Sequence, residues 1–140
     1  AHSRFRLHSQ LNNSLIRNYA EIAGREPALI SPATAKARGI KTGDVVRIYN
    51  DRGEILCGAL VSDTAQDNVV IVSEGAWYDP AVWGERSLCK HGNINVLTKD
   101  VPSSQLSQSN TAHTSMVQIE KFKGELPSVT AFDRPATIEA

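Results

Sequence analysis

The sequence predicts a mainly β domain, a small closed barrel of about six short strands with two brief helices. Three observations predict it. Short runs rich in β-branched and aromatic residues recur at irregular spacing; Gly and Pro punctuate the gaps; and no regular strand–helix–strand alternation is present to build a doubly wound sheet. At 140 residues the chain makes one domain, large enough to bury a core without disulfides or metals.

The elements follow in order. Asn12 or Asn13 caps a helix over residues 14–23, with Leu15, Ile16, Tyr19 and Ile22 on one face and Gly24 placed to stop it. Residues 28–30 form a strand. Ser31 is then an N-cap, Pro32 suits the first helical position, residues 33–38 propagate the helix and Gly39 ends it. Thr42-Gly43-Asp44 turns the chain into a strand at 45–49, Asn50-Asp51-Arg52-Gly53 makes a hairpin loop, and 54–61 returns. Residues 69–73, 94–97 and 116–122 supply the remaining strands. After Gly124, Pro127 and Pro135 bar both a helix and a central strand. The chain thus divides into a barrel at 1–124 and an extended tail at 125–140, expected to dock on other domains of a longer protein.

Composition excludes several functions. Lys plus Arg equals Asp plus Glu, 15 of each, so net charge points neither to nucleic acid nor to an anionic membrane. No apolar run is long enough to span a bilayer. The opening Ala1-His2-Ser3-Arg4-Phe5-Arg6 has no apolar h-region and reads as the start of a piece cut from a longer protein. Cys57 and Cys89 have no CxxC partner and are expected to be free thiols. His8 beside Ser9 is not a triad, and there is no GxSxG elbow, no GxGxxG, no Walker loop and no metal-ligand spacing. Catalysis by this chain alone is not expected.

What remains is a set of neutral polar stretches at loop positions. Residues 103–115 contain eleven neutral hydrogen-bonding side chains in thirteen positions, a composition that suits either a linker or a loop facing an uncharged ligand. Their run into a strand favours the loop. Three further stretches, 7–12, 74–80 and 91–98, have the same character. Taken singly, His8 could be a satisfied core histidine, Trp77 and Tyr78 a core plug, and Asn93 and Asn95 turn residues. Taken together, amides, hydroxyls and imidazoles on separate loops of one barrel can read the edge of a heterocycle, while loop N–H groups can hold a pyrophosphate.

Five stretches carry a family resemblance: Arg6-Leu7-His8-Ser9-Gln10-Leu11; residues 30–47 (Ile-Ser-Pro-Ala-Thr-Ala-Lys-Ala-Arg-Gly-Ile-Lys-Thr-Gly-Asp-Val-Val-Arg); Asn50-Asp51-Arg52-Gly53; Glu74-Gly75-Ala76-Trp77-Tyr78-Asp79; and Asn95-Val96-Leu97-Thr98. In this order they resemble the C-terminal molybdopterin-dinucleotide-binding domain of the DMSO reductase family of molybdenum enzymes. The 74–79 motif, Thr111-Ala112-His113-Thr114 and Ile119-Glu120-Lys121-Phe122 are most similar to the trimethylamine-N-oxide reductases, with biotin sulfoxide and DMSO reductases next.

The resemblance implies a six-stranded double-psi β-barrel with two or three short helices. It also implies a bis(molybdopterin guanine dinucleotide) molybdenum cofactor shared with the remaining domains of the same chain. By resemblance Leu7, His8, Ser9 and Gln10 meet the pterin and phosphate region. Asn95, Gln108, Asn110, His113 and Thr114 lie near the pterin, and Trp77 and Tyr78 sit on a cofactor-facing loop. The whole enzyme would remove oxygen from an N-oxide or S-oxide, with electrons from a c-type cytochrome or another donor. The family's serine ligand to molybdenum lies upstream of these residues, so Ser9 is not that ligand and the fragment should be inactive. Trimethylamine-N-oxide reductases are exported folded to the periplasm, whereas biotin sulfoxide reductases stay cytoplasmic. The rival from another class is a free-standing barrel serving as an interaction module, which would be expected to expose anchoring aromatics.

Overall fold

Residues Ile55 to Ala59 are all buried, an unbroken run where a half-exposed strand would alternate. They belong to β3 (Gly53–Val61), which is covered on both faces and takes neighbours on both edges, and continuous burial is what such a position demands. Ile55, Cys57 and Ala59 face the main core with Ala28, Ile30, Val46, Ile48 and Leu97. The computed structural model describes residues 3, 15–84, 87–111 and 115–134.

The other strands are β1 (Pro27–Ile30), β2 (Val45–Asn50), β4 (Ile71–Val72) and β5 (Gln118–Lys121). They form one mixed five-stranded sheet in the order β4-β1-β3-β2-β5, with β1 parallel to β3 and the other pairs antiparallel. A loop segment extends the pairing. Leu56 N–H donates to the Cys89 carbonyl at 2.9 Å, Cys89 N–H to Glu54 at 2.9 Å, and Lys90 N–H to Asp79 at 2.7 Å, so β3 is flanked by residues 88–90 beyond the end of β1. The architecture is mainly β with few helices, as the sequence predicts.

The second helix, α2 (Pro32–Arg38), follows its signals closely. Ser31 Oγ accepts from Thr34 N–H, Pro32 opens the helix, and Gly39 closes it with φ 64°. The Ser31 hydroxyl also donates to Asp67 Oδ1 at 2.6 Å, tying the cap to the 63–70 loop. The hairpin is as expected: Asn50 pairs with Gly53, and Asn50 Oδ1 accepts from Arg52 N–H at 2.9 Å.

Three expectations are corrected. The first helix, α1, spans only Ile16–Ala20, and two residues of its expected apolar face are exposed, Leu15 at 78% and Tyr19 at 83%. Ala20 is the residue that packs inward, and Glu21 leaves the helix in an extended conformation. Gly24 therefore does not stop the helix; with Ala23 it makes a left-handed two-residue turn between the bridged Ile22 and Arg25. The expected capping residues Asn12 and Asn13 lie outside the described residues.

The second correction is the strand over 94–97, which is a single 3-10 turn, Ile94–Val96. Asn93 Oδ1 accepts from Asn95 N–H at 2.9 Å, and this local bond competes with strand pairing and wins. Third, the runs 69–73 and 116–122 pair only over Ile71–Val72 and Gln118–Lys121.

Cys57 and Cys89 are both buried free thiols, and burial holds the Cys57 thiol well above its ordinary pKa. Gly58 records a close approach. A Cβ there would stand 2.1 Å from the Ile22 carbonyl oxygen, so only glycine lets the 22–25 turn lie across β3.

Candidate functional site

The hairpin end of the sheet carries the 3-10 turn. Asn50 Nδ2 donates to the Leu97 carbonyl at 2.9 Å and to Met116 at 3.3 Å, so one side chain fastens the Asn95 turn to the approach of β5. Gly53 lets that turn sit close, since a Cβ there would meet Val96 Cγ1 at 2.6 Å. Thr98 Oγ1 donates to the Asn95 carbonyl at 3.2 Å and completes the turn.

Two sequence-predicted residues, Tyr78 and Asn95, converge on an open cleft of about 570 Å³ lined also by Arg52, Asn93 and Thr98. A smaller recess beside it joins Trp77 to Tyr78, Asn93 and Asn95 through the 74–76 backbone. A third hollow, largely apolar, runs from Asn95 and Thr98 past Glu74 to Ser115 and Val117. Asn95 belongs to all three. Its backbone N–H and C=O are occupied within the turn, and its carboxamide has no hydrogen-bond partner among the described residues. Tyr78 is 42% exposed and meets Trp83 edge-on at 6.3 Å. Ser115 Oγ is buried at the edge of the third hollow with no partner among the described residues.

Gln108 and Asn110 are not brought to this cleft. They lie in a stretch, 101–110, in which every residue is exposed. It closes on itself: Ser103 N–H donates to the Ser109 carbonyl at 2.7 Å, Ser107 N–H to Ser104 Oγ at 2.9 Å, and Gln108 Nε2 to the Gln105 carbonyl at 2.9 Å. Leu7, His8, Ser9, Gln10, His113 and Thr114 lie outside the described residues. Sequence reasoning did not assign Arg52, Thr98 or Ser115 to a site, although each sits within or beside a motif it quoted. The geometric signal was the Asn50 amide, whose two carbonyl partners cannot be guessed from spacing.

The back of the 74–79 loop is anchored differently. Asp79 is 2% exposed; its Oδ2 accepts from Thr130 N–H and its Oδ1 from Thr130 Oγ1, both at 2.7 Å, while Lys90 Nζ lies 3.1 Å from Oδ1. Burial alone would raise the Asp79 pKa, but the Thr130 hydrogen bonds and Lys90 outweigh it and hold the carboxyl below its usual range. Trp77 stacks at a tilt on Phe132, with 5.3 Å between ring centroids. The fully buried His91 meets Phe132 edge-on at 5.0 Å, and its Nε2 faces Glu21 Oε1 at 2.8 Å.

Among the described residues no cluster of His, Cys, Asp or Glu could hold a metal ion, and no helix is long and apolar enough to cross a membrane. The cleft offers amides, hydroxyls and a phenol, with one charge of each sign: Asp100, and an Arg52 already paired to Asp51 at 3.0 Å. That donor set fits the edge of an uncharged heterocycle rather than a bare ion.

Residues 1–116 match the family described as the molybdopterin dinucleotide binding domain, and the chain belongs to it. Within that class it is similar over nearly its whole length to trimethylamine-N-oxide reductases. It is 50% identical to the Salmonella typhi enzyme over 99% of this chain and 17% of that protein, and 53% identical to trimethylamine-N-oxide reductase 1 of Escherichia coli K12 over 92% and 15%. The dimethyl sulfoxide/trimethylamine N-oxide reductase of Cereibacter sphaeroides is 48% identical over 96% of this chain and 16% of its own. The chain thus spans about one sixth of the length of these relatives. Acetylene hydratase from Pelobacter acetylenicus shares the fold, with a TM-score of 0.68 over 87% of this chain and 17% of that one at 13% identity. The chain is therefore a molybdopterin dinucleotide-binding domain, similar to the corresponding part of the trimethylamine N-oxide and DMSO reductases.

Proposed function

We propose that this domain closes one side of a bis(molybdopterin guanine dinucleotide) molybdenum cofactor in an enzyme that reduces trimethylamine N-oxide, or a related N-oxide or S-oxide. One observation carries the reading: Tyr78 and Asn95, whose carboxamide has no partner among the described residues, line one polar cleft with Asn93 and Thr98, inside a domain whose family is named for binding a molybdopterin dinucleotide. Asn95 and Tyr78 would read the edge of the bound heterocycle, and Trp77 would back Tyr78. Leu7, His8, Ser9 and Gln10 would meet the pterin and phosphate region, with Gln108, Asn110, His113 and Thr114 closing over it.

When bound, the cofactor supplies oxygen-atom transfer at molybdenum, with two electrons drawn from a donor such as a c-type cytochrome. The protein's part is to hold, orient and exclude water. The molybdenum ligand would come from upstream, so the fragment alone would be inactive. The five-stranded sheet with its 88–90 extension is compatible with a six-stranded double-psi barrel bounded at residue 124. Of the tail at 125–140, residues 127–132 lie against this domain, and the tail would dock on other domains through its remaining surface. The similarity to trimethylamine-N-oxide reductases supports a periplasmic enzyme, and the Cereibacter relative supports an S-oxide as a second substrate.

The test uses the full-length protein. Asn95→Ala combined with His8→Ala should lower the molybdenum retained per protein after gel filtration while leaving the unfolding temperature within a degree or two, as expected of an exposed or site-facing change (about 0.5 kcal/mol or less). Unchanged molybdenum would refute these roles.

A further inference from the structure

The 74–79 loop has little backbone pairing of its own, yet its side chains alternate between two surfaces. Tyr78 lines the cleft, while its neighbours Trp77 and Asp79 engage the segment 127–132. That segment is held at three points drawn from distant parts of the sequence. Arg25 Nη2 donates to the Pro127 carbonyl at 2.7 Å. Thr130 gives both its N–H and its hydroxyl to the buried Asp79, and Lys90 Nζ donates to Thr130 Oγ1 at 2.7 Å. Phe132 is enclosed by Trp77, His91 and the Arg17 guanidinium, which lies 3.4 Å from the ring centroid.

An extended loop gains a defined shape only where its side chains are pinned. Here the pins on either side of Tyr78 both end on 127–132. We infer that this segment is a strap that positions the Tyr78 loop for the cofactor, with Asp79, Thr130 and Phe132 as positioning residues that touch no ligand. The inference rests on the cofactor reading above. It adds that grip on the cofactor is set from behind the loop, by a contact at the opposite end of the sequence. Outer-shell partners of binding groups commonly change affinity 10–100-fold when removed.

Release of molybdenum from the full-length protein under mild urea is the readout, in a cycle of Thr130→Val, Tyr78→Ala and the pair. Thr130→Val keeps the side-chain shape and the backbone N–H but removes the hydroxyl donated to Asp79. It should quicken release about tenfold, and Thr130→Ser should restore the original rate. In the Tyr78→Ala background the same change should add less than about twofold, because the strap acts through Tyr78. Melting temperatures should instead fall additively. Should Thr130→Val not accumulate, Phe132→Leu tests the second pin by the same cycle. If Tyr78→Ala quickens release but Thr130→Val multiplies with it in full, or does nothing, the strap inference is overturned and the cofactor reading stands. If Tyr78→Ala and Asn95→Ala both leave release unchanged, the cofactor reading fails and takes the strap with it.

Discussion

Two polar loops of this domain, 74–79 and 101–110, behave oppositely as structure. Both carry hydrogen-bonding groups, though the first includes the carboxylates Glu74 and Asp79 and the second no charge. The first buries Asp79 at 2% exposure and draws on Lys90, Thr130 and Phe132 for its shape. The second is exposed throughout, with Leu106 at 97%, and its internal bonds stay within residues 101–111. Polarity alone does not say which is anchored. What does is whether a side chain finds a partner far along the chain, since a distant contact orders a loop against the body whereas a local one orders it only against itself.

The comparison can be broken most drastically from below. Gly58→Ala would drive a Cβ to 2.1 Å from the Ile22 carbonyl, displacing the 22–26 segment from which Arg25 reaches Pro127. The expected cost is about 3 kcal/mol or more in chemical denaturation, with loss of protease protection at 127–132 and little local change at 101–110. A wild-type melting curve would show the packing to be wrongly placed.

Acid should act on one loop only. Asp79 has a lowered pKa in the folded state, so its contribution is present above its unfolded value, about 3.9, and is lost as pH falls through the lower folded value. Protection from hydrogen exchange at Thr130 and Lys90, taken relative to the intrinsic rate, should therefore fall as pH drops below about 4, and Asp79→Asn should remove that dependence. Protection at Ser103 and Ser107, whose acceptors do not titrate, should stay constant over the same range. A transition of Thr130 exchange centred above pH 5 would contradict the assignment.

The smallest effect belongs to the exposed loop. Ser104→Ala, which removes the acceptor for Ser107 N–H, should change stability by less than about 0.5 kcal/mol, because water replaces the lost partner. A loss beyond about 1 kcal/mol would mean that the loop is tied to the body after all.

Much of the fold was legible because its signals are local. Ser31, Pro32 and Gly39 bracket α2 with groups that act on backbone atoms three or four residues away. Asn50 and Gly53 mark the hairpin by the same short-range chemistry. The failures are also physical. The apolar stripe of α1 reads as a core face, but the core at that end is completed by Ala20, and Leu15 and Tyr19 point to solvent. The 94–96 segment has strand-like residues, yet a single Asn93 side-chain bond curls it into a turn, and that turn is what presents Asn95.

Of the residues singled out as sequence, Tyr78 and Asn95 line one cleft, whereas Gln108 and Asn110 stand apart from it. Arg52 and Thr98 went unassigned because their contribution depends on how the hairpin loop and the 3-10 turn abut.

By itself, then, the sequence determined a mainly β domain with a capped second helix, a hairpin at 50–53, a neutral polar character and membership of a cofactor-binding family, because each of these is written in residue type and near-neighbour spacing. Tertiary structure alone decided which polar loop is anchored, that Asp79 answers to Thr130, that His91 is sealed against Phe132, and that Asn50 joins two carbonyls of different segments. These contacts cross tens of residues, and their partners become neighbours only when the β3 core has folded between them.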